Sequence, residues 1–69
     1  MNEETTYRIN GKKFLANSPK YAAIRYLCWL EDLRNVSGSQ TIIVGDRYSN
    51  FTTVELSYKQ NLEINSKIL

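Results

Sequence analysis

Tyr7-Arg8-Ile9-Asn10-Gly11-Lys12-Lys13-Phe14-Leu15-Ala16-Asn17-Ser18-Pro19 is the stretch whose reading decides the fold. Asn10-Gly11 is the dipeptide best suited to the two positive φ angles of a type I′ turn, so the flanking segments Thr5–Ile9 and Lys12–Ala16 form a two-residue hairpin. That loop length sets Ile9 against Lys12, Arg8 against Lys13, Tyr7 against Phe14 and Thr6 against Leu15. Alternation then places Tyr7, Ile9, Phe14 and Ala16 on the core face and Thr6, Arg8, Lys13 and Leu15 on the other. Arg8 opposite Lys13 is a like-charge pair, a mild cost that an acidic partner would relieve.

The hairpin runs straight into a helix start. Ser18 reads as the N-cap and Pro19 as the first helical residue, where a missing N–H costs nothing. The spacing predicts a helix to about Arg34, ending before Gly38. At 100° per residue, Ala22, Ala23, Tyr26, Leu27, Trp29, Leu30 and Leu33 share one face. Tyr21, Arg25 and Cys28 point away from it.

Beyond the helix, Gln40–Val44 is a short β-branched strand and Gly45–Asn50 a loop. Phe51–Lys59 is a strand with Val54, Leu56 and Tyr58 inward and Thr53, Glu55 and Ser57 outward. Leu62 and Ile64 keep the same parity, so this strand is expected to continue past Gln60 into a frayed end at about 65–69. Residues 1–4 are expected to fray as well. The result is one α+β domain over 1–69: a four-stranded, mainly antiparallel sheet in the order β-β-α-β-β with one amphipathic helix on one face. The expected core is Tyr7, Phe14, Ala23, Leu27, Leu30, Ile43, Val54 and Leu56, and the uncovered face is expected to be polar.

Composition sets the limits on function. The chain has 69 residues, 42% hydrophobic and 23% charged, one cysteine and no histidine. That excludes an internal disulfide framework and the common metal sites, and no apolar run reaches the ~18 residues of a membrane span. Met1-Asn2-Glu3-Glu4 is the opposite of a secretion signal, so a reducing, cytoplasmic setting is expected, with no membrane partner. The seven acids are scattered, and adjacent Glu31 and Asp32 point about 100° apart on a helix. Cys28 has no histidine to activate it. The expectation is therefore no catalytic residue, no cofactor and no metal, hence no enzyme. Asn35-Val36-Ser37 and Asn50-Phe51-Thr52 match the glycosylation sequon, which is idle without secretion.

Charge is the uneven feature. The net charge is only +2, but Thr5 to Leu30 carries Arg8, Lys12, Lys13, Lys20 and Arg25 with no acid. Such a half attracts nucleic acid or an acidic protein face, although it also reads as ordinary solvated surface. Parity buries Tyr7 and Phe14, leaving Tyr21 and Tyr48 as the aromatics free to stack on bases, which weakens the single-strand reading. The expected partner-binding residues are Arg8, Lys12, Lys13, Lys20 and Arg25, with Asp46, Arg47 and Tyr48 of the second loop as the next choice.

In its hairpin Tyr7–Ala16, its helix opening Ser18-Pro19-Lys20-Tyr21-Ala22-Ala23 and its composition, the chain resembles small accessory proteins of bacteriophages and mobile elements. Asn, Ser, Thr and Gln make up 20 of the 69 residues. Those proteins inhibit host machinery, anti-CRISPR proteins among them. The resemblance implies a stoichiometric inhibitor of a host defence or nucleoprotein complex, working by steric blocking or by mimicking or competing with nucleic acid, as a monomer or homodimer in the host cytoplasm. The chain departs from the acidic DNA-mimic kind in being net basic, and no functional residue carries over. The alternative expectation is a small basic nucleic-acid-binding protein.

Overall fold

Asn10 and Gly11 take φ angles of 49° and 79° in a computed structural model that describes residues 4–31, 36–59 and 63–69. Both lie in the left-handed region that a type I′ turn demands. Strands β1 (Thr5–Ile9) and β2 (Lys12–Ala16) pair in the expected register, from Ile9↔Lys12 to Thr5↔Ala16. Ile9 and Ala16 are buried, and Tyr7 and Phe14 pack against the margin of the core. A side-chain bond ties the turn to the helix: Asn10 Nδ2 donates to the Tyr26 hydroxyl at 2.9 Å.

Helix α1 (Pro19–Leu30) begins as the sequence indicates. Ser18 Oγ accepts from the Tyr21 N–H at 3.3 Å, satisfying one of the donors a helix start leaves open. The helix stops earlier than its periodicity suggests. Glu31 is extended (φ −135°, ψ 151°), and its N–H closes the last turn on the Leu27 carbonyl at 3.0 Å. The reason is tertiary. The Glu31 carboxylate accepts from Tyr58 Oη at 3.3 Å and from Gln40 Nε2 at 3.5 Å, bonds to the sheet that apolar spacing does not reveal. Ala22, Ala23, Tyr26 and Leu27 form the buried stripe. Trp29 and Leu30, expected inside it, stand exposed at the helix end. Leu33 and the rest of the expected extension to about Arg34 lie outside the described residues.

The sheet has five strands rather than four. β3 (Gly38–Gly45), β4 (Phe51–Lys59) and β5 (Glu63–Ile68) join the hairpin in the order β2-β1-β3-β4-β5, every neighbouring pair antiparallel. The chain does not extend β4 into its tail. It returns, setting Lys59 against Glu63 and Tyr58 against Ile64. This register preserves the inward parity of Ile64, which is the constraint that matters, because Ile64 packs on the core beside Tyr58. Residues 60–62, where continuation was expected, lie outside the described residues, as do residues 1–3.

The register of β3 also corrects the expected core. Ile42 pairs with buried Val54 and is itself 4% exposed, whereas Ile43 pairs with Thr53 and is 60% exposed. In the β-branched run Thr41-Ile42-Ile43-Val44, alternation groups Ile42 with Val44 and Thr41 with Ile43 but does not say which pair is buried. The partner strand sets the phase here. The core thus consists of Ile9, Ala16, Ala22, Ala23, Tyr26, Leu27, Ile42, Val44, Val54, Leu56 and Tyr58, between the helix and one side of the sheet. Among the described residues the other side of the sheet carries no helix.

Candidate functional site

Side chains on that open side are arranged by strand pairing into rows that cross the sheet. One row runs Lys13–Arg8–Gly45–Phe51 over β2, β1, β3 and β4, each residue opposite the next. Next to it, Ile43 stands opposite Thr53. Leu69 adjoins Thr53, whose carbonyl accepts the Leu69 N–H at 3.0 Å. A third row sets Thr41, Glu55 and Lys67 side by side.

Gly45 gives the first row its shape. A Cβ built there would lie 3.1 Å from Phe51 Cε1, so the ring leans over the glycine and rests on its backbone. An aromatic flanking a glycine in this way covers backbone that would otherwise face water. Gly45 is buried as a result, while Phe51 remains 73% exposed. The face is consequently less polar than the sequence reading expected: Phe51, Ile43, Leu69 and Leu15 are all large exposed hydrophobics.

The charges on this face are not equally compensated. Glu55 sits opposite Lys67 and Lys59 opposite Glu63, each an opposite-charge cross-strand pair. Arg8 and Lys13 stand opposite each other. Among the described residues Arg25–Glu4 is the one ion pair within 4 Å, so Glu55–Lys67 and Lys59–Glu63 are cross-strand neighbours of opposite charge rather than salt bridges, and Arg8 and Lys13 lack even such a neighbour.

The remaining expected contact residues divide between surfaces. Lys12 follows from strand alternation: next to Lys13, it must face the helix side, where its Nζ lies 4.9 Å over the Trp29 ring. That ring completes a cluster with Phe14, which it meets edge-on, and Tyr26, against which it is tilted. Lys20 is exposed on α1, and Arg25 forms an exposed ion pair with Glu4 at 3.2 Å. The five bases of the first half therefore do not form one patch.

Asp46, Arg47 and Tyr48 belong to the β3–β4 loop, at the end of the sheet where the Gly45–Phe51 pair closes. Asp46 Oδ1 accepts from the N–H groups of Tyr48 at 2.8 Å and Asn50 at 3.0 Å, and the Asp46 carbonyl accepts from Ser49 at 3.2 Å. The Asn50 N–H, ahead of an opposing desolvation and then the Tyr48 N–H, holds the Asp46 carboxyl below the ordinary 3.8. Asp46 is thus a loop-forming residue, whereas Tyr48 is free at the surface with the Arg47 guanidinium 4.9 Å over its ring.

The sequence reading missed Phe51, Ile43 and Leu69. The signal for Phe51 was present: with Val54, Leu56 and Tyr58 inward, parity sends Phe51 outward beside Thr53. Its position in line with Arg8, across Gly45, was not legible, because it depends on β1 pairing with β3 across a helical crossover.

Among the described residues no three His, Cys, Asp or Glu side chains gather as metal ligands, and no helix is long and apolar enough to cross a membrane. Cys28 is a free, exposed thiol. No protein-family model, no curated protein and no solved structure matches the chain.

Proposed function

We propose that the chain is a non-catalytic binding protein that occupies a surface of a host protein or nucleoprotein complex with the open face of its sheet. One observation carries this reading. The only charged row of that face without an opposite-charge partner among the described residues, Arg8–Lys13, is continuous with an exposed aromatic resting on Gly45. A base pair that repels itself beside exposed apolar side chains gains from an acidic, apolar counterpart. The resemblance to phage accessory proteins gives this occupancy the form of stoichiometric inhibition by steric blocking, in the anti-CRISPR manner.

A second reading, direct nucleic-acid binding, is favoured by Phe51 lying in one cross-sheet row with two bases, two strands from Arg8 and three from Lys13, since exposed aromatics near cations serve as stacking platforms. The aliphatic Ile43 and Leu69 and the carboxylate of Glu55 on the same face favour protein instead. Salt dependence separates the two. A nucleic-acid binder holds naked single strand or duplex near physiological salt, with affinity falling steeply as salt rises. The proposed protein-directed inhibitor binds naked nucleic acid negligibly. Its complex, captured from a bacterial lysate, weakens on Arg8→Ser/Lys13→Ser and is unchanged by Lys12→Ser on the opposite side. Equal losses from both variants would refute the assignment to the open face.

A further inference from the structure

We infer that the occupant of the open face is an acidic amphipathic helix of the partner, laid along the Lys13–Arg8–Gly45–Phe51 row. This rests on the binding-face reading above and adds the chemistry and shape of the ligand.

The shape follows from what the sheet leaves unsatisfied. The N–H and C=O groups of β1, β3 and β4 point in the plane of the sheet, toward neighbouring strands, so the face offers side chains, with β1 and β3 meeting at the pair Arg8↔Gly45. A partner segment laid flat on it must satisfy its own backbone, which a helix does internally. A helix on a sheet is also the layer arrangement this fold already uses on its other side. The charge follows from register. Arg8 and Lys13 are directly opposite, which sets their Cβ atoms about 4.5–5.5 Å apart. Acids at positions i and i+4 of a helix are about 5–6 Å apart, so one acid meets each base. From Lys13 to Phe51 the row takes three interstrand steps, about 14 Å in all, or roughly ten helical residues. Phe51 lies two of those steps past Arg8, so an apolar ridge beginning about six residues, or somewhat under two turns, beyond the second acid reaches Phe51, Ile43 and Leu69. Acids at the helix N-terminal end also suit its dipole.

Other occupants fit less well. A second copy would bring the same excess of bases, Arg8 and Lys13, to the interface. Nucleic acid finds one stacking ring, aliphatic neighbours and a carboxylate. The opposite side of the molecule, with Trp29 under Lys12, has its aromatics engaged with one another.

The test is a titration of the ¹⁵N-labelled protein with a synthetic helical peptide of about 18 residues. It carries two glutamates four positions apart, then two leucines four positions apart beginning about six residues after the second glutamate. Amide shifts are expected at Arg8, Lys13, Ile43, Gly45, Phe51 and Thr53, and none at Lys20, Arg25 or Cys28. Replacing the glutamates by lysine, or the protein pair by Arg8→Ser/Lys13→Ser, should weaken binding about tenfold. Phe51→Ala should weaken it as well. Lys20→Ser/Arg25→Ser removes the same charge from the helix side and should leave affinity within about twofold. The inference is overturned if that control loses as much, if the shifts map to the helix side, or if a short oligothymidylate binds more tightly at the same salt. Self-association that buries the face, seen by sedimentation, also overturns it. Should the acidic peptide leave the spectrum unchanged while Arg8→Ser/Lys13→Ser still loses its captured complex, the helix inference falls and the binding-face reading stands. Should the double variant keep its complex, both fall.

Discussion

Two adjacent isoleucines provide the sharpest test of the fold. Ile42 is 4% exposed and faces Val54 across the sheet, while Ile43 is 60% exposed on the open side. Truncating either to alanine removes the same three carbons from the same strand, so the loss in strand propensity is common to both. For Ile42 the transfer contribution is about 2.4 kcal/mol, at ~0.8 per buried carbon. The cavity left under α1 raises the total to about 3–4 kcal/mol. For Ile43 less than half of that area leaves water on folding and no cavity opens, so about 1 kcal/mol or less is expected. A chain of 69 residues has a total stability of about 3.5–10 kcal/mol, so Ile42→Ala sits near the edge of folding. Ile42→Val, at about 0.5–1.5 kcal/mol, keeps the comparison measurable, with Ile43→Val close to neutral. Urea unfolding monitored by circular dichroism reads both pairs, with unchanged m-values showing that the denatured state is the same. In a thermal melt each kcal/mol should appear as a drop of about 4–8 °C. If the Ile43 variants lose as much as the Ile42 variants, β3 is one residue out of the register described, and the open face is not the one assigned.

Ser49 holds a φ of 64° in the β3–β4 loop, where a residue with a Cβ is strained. Ser49→Gly should stabilise the protein by about 0.5–1 kcal/mol, and a fall in the urea midpoint would contradict the loop geometry. Ser18→Ala removes the N-cap acceptor and should cost about 1 kcal/mol, most visibly as faster amide exchange in the first turn of α1. Asp46 has its folded-state carboxyl below 3.8, so its contribution to loop order is fully present above about pH 4 and lost as pH falls through the folded value. A carboxyl titration by NMR should place its midpoint below 3.8, and Asp46→Asn should remove this acid-dependent step while leaving the loop shape. A midpoint at or above 3.8 would show that the Asn50 and Tyr48 N–H groups do not hold the carboxylate.

What could be read from residues alone was local. Asn10-Gly11 dictates its turn because the two left-handed angles have few other takers, and the two-residue loop then dictates every pairing from Ile9↔Lys12 to Thr6↔Leu15. Ser18-Pro19 dictates the helix start through one side-chain acceptor and one absent donor. The composition limits the chemistry in the same direct way, since a chain without histidine lacks the commonest base and metal ligand. Features that depend on distant partners were not legible. The helix ends at Leu30 because Glu31 is bound by Gln40 and Tyr58, and Ile42 rather than Ile43 is buried because Val54 lies opposite it. The tail reverses into β5 and so sets Ile64 on the core beside Tyr58, whereas the inward parity of Ile64 is the same for a strand that simply continues. The candidate face is the clearest case. Alternation separates Lys12 from Lys13 within the hairpin, but only the pairing of β1 with β3 brings Phe51 into line with Arg8. Turn and cap preferences act over a few bonds and are written in neighbouring residues. Strand order and phase are settled by which side chains meet after the chain has crossed the molecule, and no single segment contains that information.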